Sequence, residues 1–150
     1  MFTVEVQVGR LIEARIESLR SLDRAVAYAD AFAGVLQRSP TTGPMILCAD
    51  HRAVPVYPQA VTDKLAALFG TLNTRLARIA LLVSPTNATL SMQLGRIVRE
   101  ANNTARRVFT VPMEAEAFLG DVLTSAERMR LGRFLRSDRS DGPPSSRSRI

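Results

Sequence analysis

The sequence predicts an α/β fold: a mostly parallel sheet of about five strands that opens with an antiparallel hairpin, in the order β-β-α-β-α-β-α-β-α, plus a short C-terminal helix. Three observations predict it. Val4, Val6 and Val8 alternate with Thr3, Glu5 and Gln7, the period of a strand with one buried face. Two short, continuous apolar runs, Met45-Ile46-Leu47-Cys48-Ala49 and Ile79-Ala80-Leu81-Leu82-Val83, read as strands buried on both faces. Segments of helical period separate these runs, and alternation of strand and helix implies parallel strands joined by right-handed crossovers.

The elements follow in order. Gly9-Arg10 fits the Gly-X loop of a type II′ hairpin, because glycine tolerates positive φ at the first turn position. The return strand, about residues 11–17, puts Ile12, Ala14 and Ile16 on one face and Glu13, Arg15 and Glu17 on the other. Leu22, Val26, Ala29, Ala33 and Leu36 then form a helical stripe, with Ser21 as its cap. That helix stops near Ser39-Pro40, since the residue before proline disfavours helical geometry, and Thr41-Thr42-Gly43-Pro44 is a loop. After the first apolar run, a turn with two prolines leads to a second helix marked by Val61, Leu65, Leu68 and Leu72. After the second, Ser84-Pro85 fits a cap followed by proline at the first helical position. Leu90, Leu94, Ile97 and Ala101 mark the third helix, which Asn102-Asn103-Thr104 ends. Arg107-Val108-Phe109-Thr110-Val111 is the last strand, and residues 113–123 form a fourth helix with Ala115, Phe118, Leu119 and Val122 inward. Thr124-Ser125-Ala126-Glu127 fits a capping box opening a helix over about 125–136.

The chain thus divides into an α/β domain over 1–123, a basic amphipathic helix over 124–136 and an Arg/Ser-rich tail over 137–150, expected to be disordered because it holds one apolar residue. The 150 residues carry a net charge of +6, but residues 128–150 contain seven arginines against two aspartates. The body is nearly neutral, so a broad nucleic-acid-binding face is not expected, and any such contact would be weak and made by the tail. One cysteine and one histidine exclude a disulfide framework and leave no conventional metal site. With no apolar run of membrane-spanning length and no secretory leader at the start, a cytoplasmic location is expected.

Ligands of α/β sheets sit at the carboxyl ends of the parallel strands. The loops there, residues 50–59, 84–87 and 111–113, contain no glycine, so neither a dinucleotide fingerprint nor a phosphate loop is present and no cofactor is expected. Asp50 and His51 end a buried run, where His51 would serve as a general base oriented by Asp50. Adjacent residues on an extended chain point in different directions, however, and a turn cap plus a bystander imidazole is the plainer account. Cys48, inside the apolar run, reads as an inert small hydrophobe. An aspartyl-phosphate receiver would need an acidic cluster and a nearby lysine, but the sole lysine, Lys64, falls in a helix. Tyr57, in a proline-framed loop, either packs over the sheet end or meets a partner.

The element order resembles STAS/SpoIIAA-like domains over roughly residues 3–123. The stretch Arg107-Val108-Phe109-Thr110-Val111-Pro112-Met113-Glu114-Ala115-Glu116-Ala117-Phe118-Leu119 is similar to that family's final strand leading into a short acidic, alanine-rich helix. The resemblance implies a non-enzymatic regulatory domain that binds a partner protein, an anti-sigma factor or another regulator. It also implies a phosphorylatable Ser or Thr at the start of the second helix, within an Asp-Ser-Ser/Thr-Gly-type motif. Here the corresponding stretch is Val56-Tyr57-Pro58-Gln59-Ala60-Val61-Thr62-Asp63, which lacks that motif, with Thr62 as the nearest hydroxyl. The expected partner surface is the 50–62 loop and second helix: Asp50, His51, Tyr57, Gln59 and Thr62. A small-molecule or lipid carrier is the alternative, and would need an apolar pocket of roughly 300 Å³ or more. Self-association through a free sheet edge is also expected, without indication of which edge.

Overall fold

A computed structural model describes residues 1–39 and 43–137. Its five strands are β1 (Phe2–Val6), β2 (Leu11–Ile16), β3 (Met45–Asp50), β4 (Leu76–Leu82) and β5 (Arg106–Phe109). Its helices are α1 (Leu22–Arg38), α2 (Gln59–Leu72), α3 (Ala88–Ala101), α4 (Pro112–Gly120) and α5 (Ser125–Arg136). The strands lie in chain order, β1-β2-β3-β4-β5, with β1 antiparallel to β2 and the other pairs parallel. This is the predicted mixed α/β sheet. The hairpin turns through Val8–Leu11, where the Leu11 amide donates to the Val8 carbonyl and Gly9 takes a positive φ of 59°, but the ladder pairs Val6 with Ile12, one residue out of step with the two-residue type II′ connection expected.

The strand order decides where the helices go. Parallel strands added always on the same side, with crossovers of constant hand, bring every connecting helix to the same face. Accordingly α1, α2 and α3 pack on the face carrying Ile12, Ala14, Ile16, Leu47, Ala49, Ile79 and Leu81. The opposite face, with Leu11, Ile46, Cys48, Ala80 and Leu82, would lie bare without the chain after β5, and α4 and α5 cover it.

Two further local expectations are corrected, and one face of β2 gains a cover. The stripe of α1 that enters the core is Ala25, Tyr28, Phe32, Val35 and Leu36, one step round from the aliphatic stripe, and Leu22 is 49% exposed. The larger aromatic surfaces of Tyr28 and Phe32 take the inside, stacked edge to face with Phe2. Ser84-Pro85 does not cap α3. Residues 84–87 form a turn, and Asn87 is the cap, its side chain accepting from the Leu90 amide. The Glu13 and Arg15 face of β2 is not a solvated face, because α5 lies over it and leaves Glu13 3% exposed. The capping box opens α5 as expected: Thr124 Oγ1 accepts from the Glu127 amide at 3.2 Å, and Glu127 Oε1 accepts from the Thr124 amide at 2.8 Å. The disordered tail expected over 137–150 falls, from residue 138 onward, outside the described residues.

Candidate functional site

The carboxyl ends of β2 and β3 open into a cleft of about 570 Å³ between residues 17–20 and the 53–58 loop. Its walls include Glu17, Arg20, Pro55, Val56 and Pro58, and Val56 stands 50% exposed. The loop that forms one wall makes one turn bond of its own, the Val54 amide donating to the His51 carbonyl at 3.0 Å, and α3 with its cap holds the rest. Asn87 Nδ2 donates to the carbonyls of Val54 (3.0 Å) and Pro55 (2.8 Å). Gln93 clamps the Tyr57 backbone from both sides, Oε1 accepting from the amide at 3.0 Å and Nε2 donating to the carbonyl at 2.8 Å. The cap of α3 and one side chain within it therefore satisfy four backbone groups of an irregular segment, which fixes its shape before any ligand arrives.

The five residues singled out in the sequence divide into two sets. Asp50, His51 and Tyr57 are buried, while Gln59 is exposed and Thr62 half-buried on the first turn of α2. Asp50 faces α5. There it accepts from Arg52 (Nε 3.0 Å, Nη2 3.0 Å, and the amide 3.0 Å) and from Arg15 Nε at 3.3 Å. Burial pushes its carboxyl up, but the hydrogen bonds and charge of Arg52, then the charge of Arg15, outweigh this and hold it below the ordinary value. His51 faces the other side of the sheet, and its Nδ1 shares a 2.9 Å hydrogen bond with Tyr57 Oη. Burial lowers the imidazole to about 4 despite the Asp50 charge, so it is neutral at pH 7, and burial raises the Tyr57 phenol. Asp50 and His51 thus occupy opposite faces and form no acid–base dyad with each other.

Gln59 Nε2 donates to Asp63 Oδ1 at 2.8 Å and Thr62 Oγ1 donates to the Gln59 carbonyl at 2.8 Å, both within α2. Cys48 is fully buried, and burial and then the Asp50 charge raise its thiol far above the ordinary value. Among the described residues no group of three His, Cys, Asp or Glu side chains could hold a metal, and no helix is long and apolar enough to cross a membrane. The cavity beneath His51, bounded by Tyr28, Leu47, Leu65, Phe69 and Leu94, is about 10 Å³. That enclosed space is too small for a ligand, whereas the open cleft beside the 53–58 loop exceeds roughly 300 Å³.

Sequence reasoning missed Asn87 and Gln93, the two residues that hold the loop. Gln93 is one of several polar residues flanking the apolar stripe of α3, and its target lies 36 residues away in the chain, so the sequence carried no signal for it. No family model, curated protein or solved structure matches this chain.

Proposed function

We propose that this protein is a regulatory, non-catalytic protein-interaction domain, similar in plan to STAS/SpoIIAA-like signalling domains, which binds a partner along the 53–62 loop and the start of α2. The observation that supports this most is the clamped loop. Its one titratable residue, Tyr57, is turned inward onto His51, while Pro55, Val56, Pro58 and Gln59 face outward on a backbone already ordered by Asn87 and Gln93. A rigid ledge with an apolar centre and a polar rim loses little conformational entropy on docking, which favours a protein partner. Asp50, His51 and Tyr57 enter this reading as the foundation of the ledge, with Val56, Gln59 and Thr62 as its contact surface. Docking here requires no phosphorylated residue.

The test compares partner capture by the full chain, by Val56→Glu/Gln59→Arg and by Met129→Glu, which alters an exposed residue of α5. A protein retained by the chain and by Met129→Glu, but lost from the double variant at unchanged melting temperature, supports the ledge. Equal recovery by all three overturns it.

A further inference from the structure

The sheet has two edges, and they are built differently. β5 has four residues, of which Arg106 is buried and Arg107 is an exposed cation. Short length and charge are common protections against edge pairing. β1 has five residues, Phe2-Thr3-Val4-Glu5-Val6, without Lys, Arg, Pro or a bulge against β2.

The ladder fixes which backbone groups of β1 are free. Glu17 donates its amide to the Met1 carbonyl at 2.9 Å, so residues 1 and 17 are a hydrogen-bonded pair. In an antiparallel ladder such pairs alternate with non-bonded ones. Thr3↔Arg15 and Glu5↔Glu13 are therefore bonded pairs, while Phe2↔Ile16, Val4↔Ala14 and Val6↔Ile12 are not. The same parity sends the Arg10 carbonyl towards β3, where it accepts from the Ile46 amide at 2.9 Å. The amides and carbonyls of Phe2, Val4 and Val6 thus point away from the sheet, and among the described residues no strand lies beyond them.

We infer that this edge is an interface between two copies of the chain, joined by antiparallel pairing of β1 with β1 about a two-fold axis at Val4. In that register Val4 faces Val4 and Phe2 faces Val6, and each of these pairs exchanges two backbone bonds. Thr3 faces Glu5, so no like charges oppose. Sliding the axis to Glu5 sets carboxylate against carboxylate, and sliding it to Thr3 shortens the ladder. A shift of one residue against this parity points free groups at side-chain positions where nothing can accept them. Charge and parity together therefore select one register, and the two sheets become one continuous sheet. The half-buried side chains of Phe2, Val4 and Val6 gain cover on the α1 face in the process.

The register makes a signed prediction, readable by sedimentation velocity of the full chain over a concentration series. Thr3→Glu places two carboxylate pairs across the two-fold axis and weakens the dimer about tenfold, while Thr3→Lys places a cation opposite each Glu5 and tightens it by a similar factor. Within one chain Thr3 faces Arg15, so the monomer's stability in dilute solution shifts the opposite way in each variant. A general folding defect cannot produce that opposition. Val4→Pro removes an outward amide and abolishes association, and should it fail to fold, the Thr3 pair still decides. A wild-type chain that stays monomeric throughout, or a dimer indifferent to the charge at position 3, overturns the interface.

Discussion

The two faces of the sheet are closed by different means. On the α1–α3 side the contact is mostly apolar: Phe32, Val61, Leu90 and their neighbours meet the sheet, and the polar groups buried among them include the His51–Tyr57 pair and Arg106, whose Nη2 donates to the Leu76 carbonyl at 2.9 Å. On the α4–α5 side the floor is apolar but the fastening is ionic. Arg130 grips Glu13 through two bonds of 2.5 and 2.7 Å. Glu127 accepts from the Arg10 amide at 2.7 Å, and burial of its carboxyl is outweighed by bonds from Arg10 and Thr124 that hold it below the ordinary value. At the other end of α5, Arg15 donates to the carbonyls of Phe134 (2.7 Å) and Ser137, and Arg52 to that of Leu135 (3.2 Å). These two cations close the negative end of the helix while Asp50 holds them together. The difference shows a division of labour. Leu131, Phe134 and Leu135 supply α5 with burial energy but only a short apolar stripe to locate it, and the charges set its position.

The largest effects separate the two fastenings by their pH dependence. Phe32→Ala empties a fully buried aromatic site and costs about 4 kcal/mol, at acid and neutral pH alike. Asp50→Asn leaves two arginines facing each other, and because both are partly solvated it costs about 3 kcal/mol at pH 7, the lower end for a broken buried pair. The Asp50 carboxyl is lowered in the folded chain, so its contribution is complete above its unfolded value of 3.8 and is lost as the pH falls through the folded one. The Asn variant and the wild type therefore converge in strong acid, while the Phe32→Ala deficit persists. Urea titrations over a pH series read both outcomes. A constant Asp50→Asn deficit down to low pH would assign that residue a packing role.

The apolar face carries its own titration in a different window. His51 is neutral in the fold with its value lowered to about 4, whereas the unfolded chain takes up the proton near 6.5. Below that value the unfolded state binds more protons, so stability is complete above pH 6.5 and declines by on the order of 3 kcal/mol as pH falls towards 4. His51→Asn flattens this slope without touching the acid limb that belongs to Asp50 and Glu127. A wild-type profile level between pH 7 and 4.5 would mean that the imidazole is solvated.

The sequence made one face far more legible than the other. Strands β3 and β4 were plain in it because an inner strand of a two-sided sheet has no solvated positions, and Met45–Asp50 is buried throughout. Helices α2 and α3 followed from period alone, since Leu65, Leu68, Leu90 and Leu94 leave one choice of stripe. In α1 the period was right and the phase was not, because alanines spread round the helix leave two adjacent stripes of similar hydropathy and aromatic size decides between them. The polar alternation of β2 concealed its burial. Glu13 and Arg15 look solvated until Arg130, 117 residues further along from Glu13, is placed over them. The segment beyond the end of β3 was legible as a loop, but the arrangement of its side chains was not. Side-chain bonds from Asn87 and Gln93 to a distant backbone leave no periodic trace.

The smallest expected effect isolates the positioning role of charge. Glu13→Gln/Arg130→Met exchanges the buried pair for neutral side chains of similar length, and such replacements change global stability little. Its consequence is local. Cys48 lies beside Glu13 in the ladder, beneath α5 and fully buried, so its thiol reacts only when that face opens. A helix located by apolar contact alone opens more often, and a loss of about 1 kcal/mol in the local opening free energy raises the thiol labelling rate on the order of fivefold. Phe69→Leu, a conservative change on the buried side of α2 on the other face, lowers global stability by about 1 kcal/mol yet leaves that rate unaltered. Acceleration by Phe69→Leu and none by the Glu13/Arg130 exchange would mean that Cys48 is reached only through global unfolding, and that the two faces open as one unit.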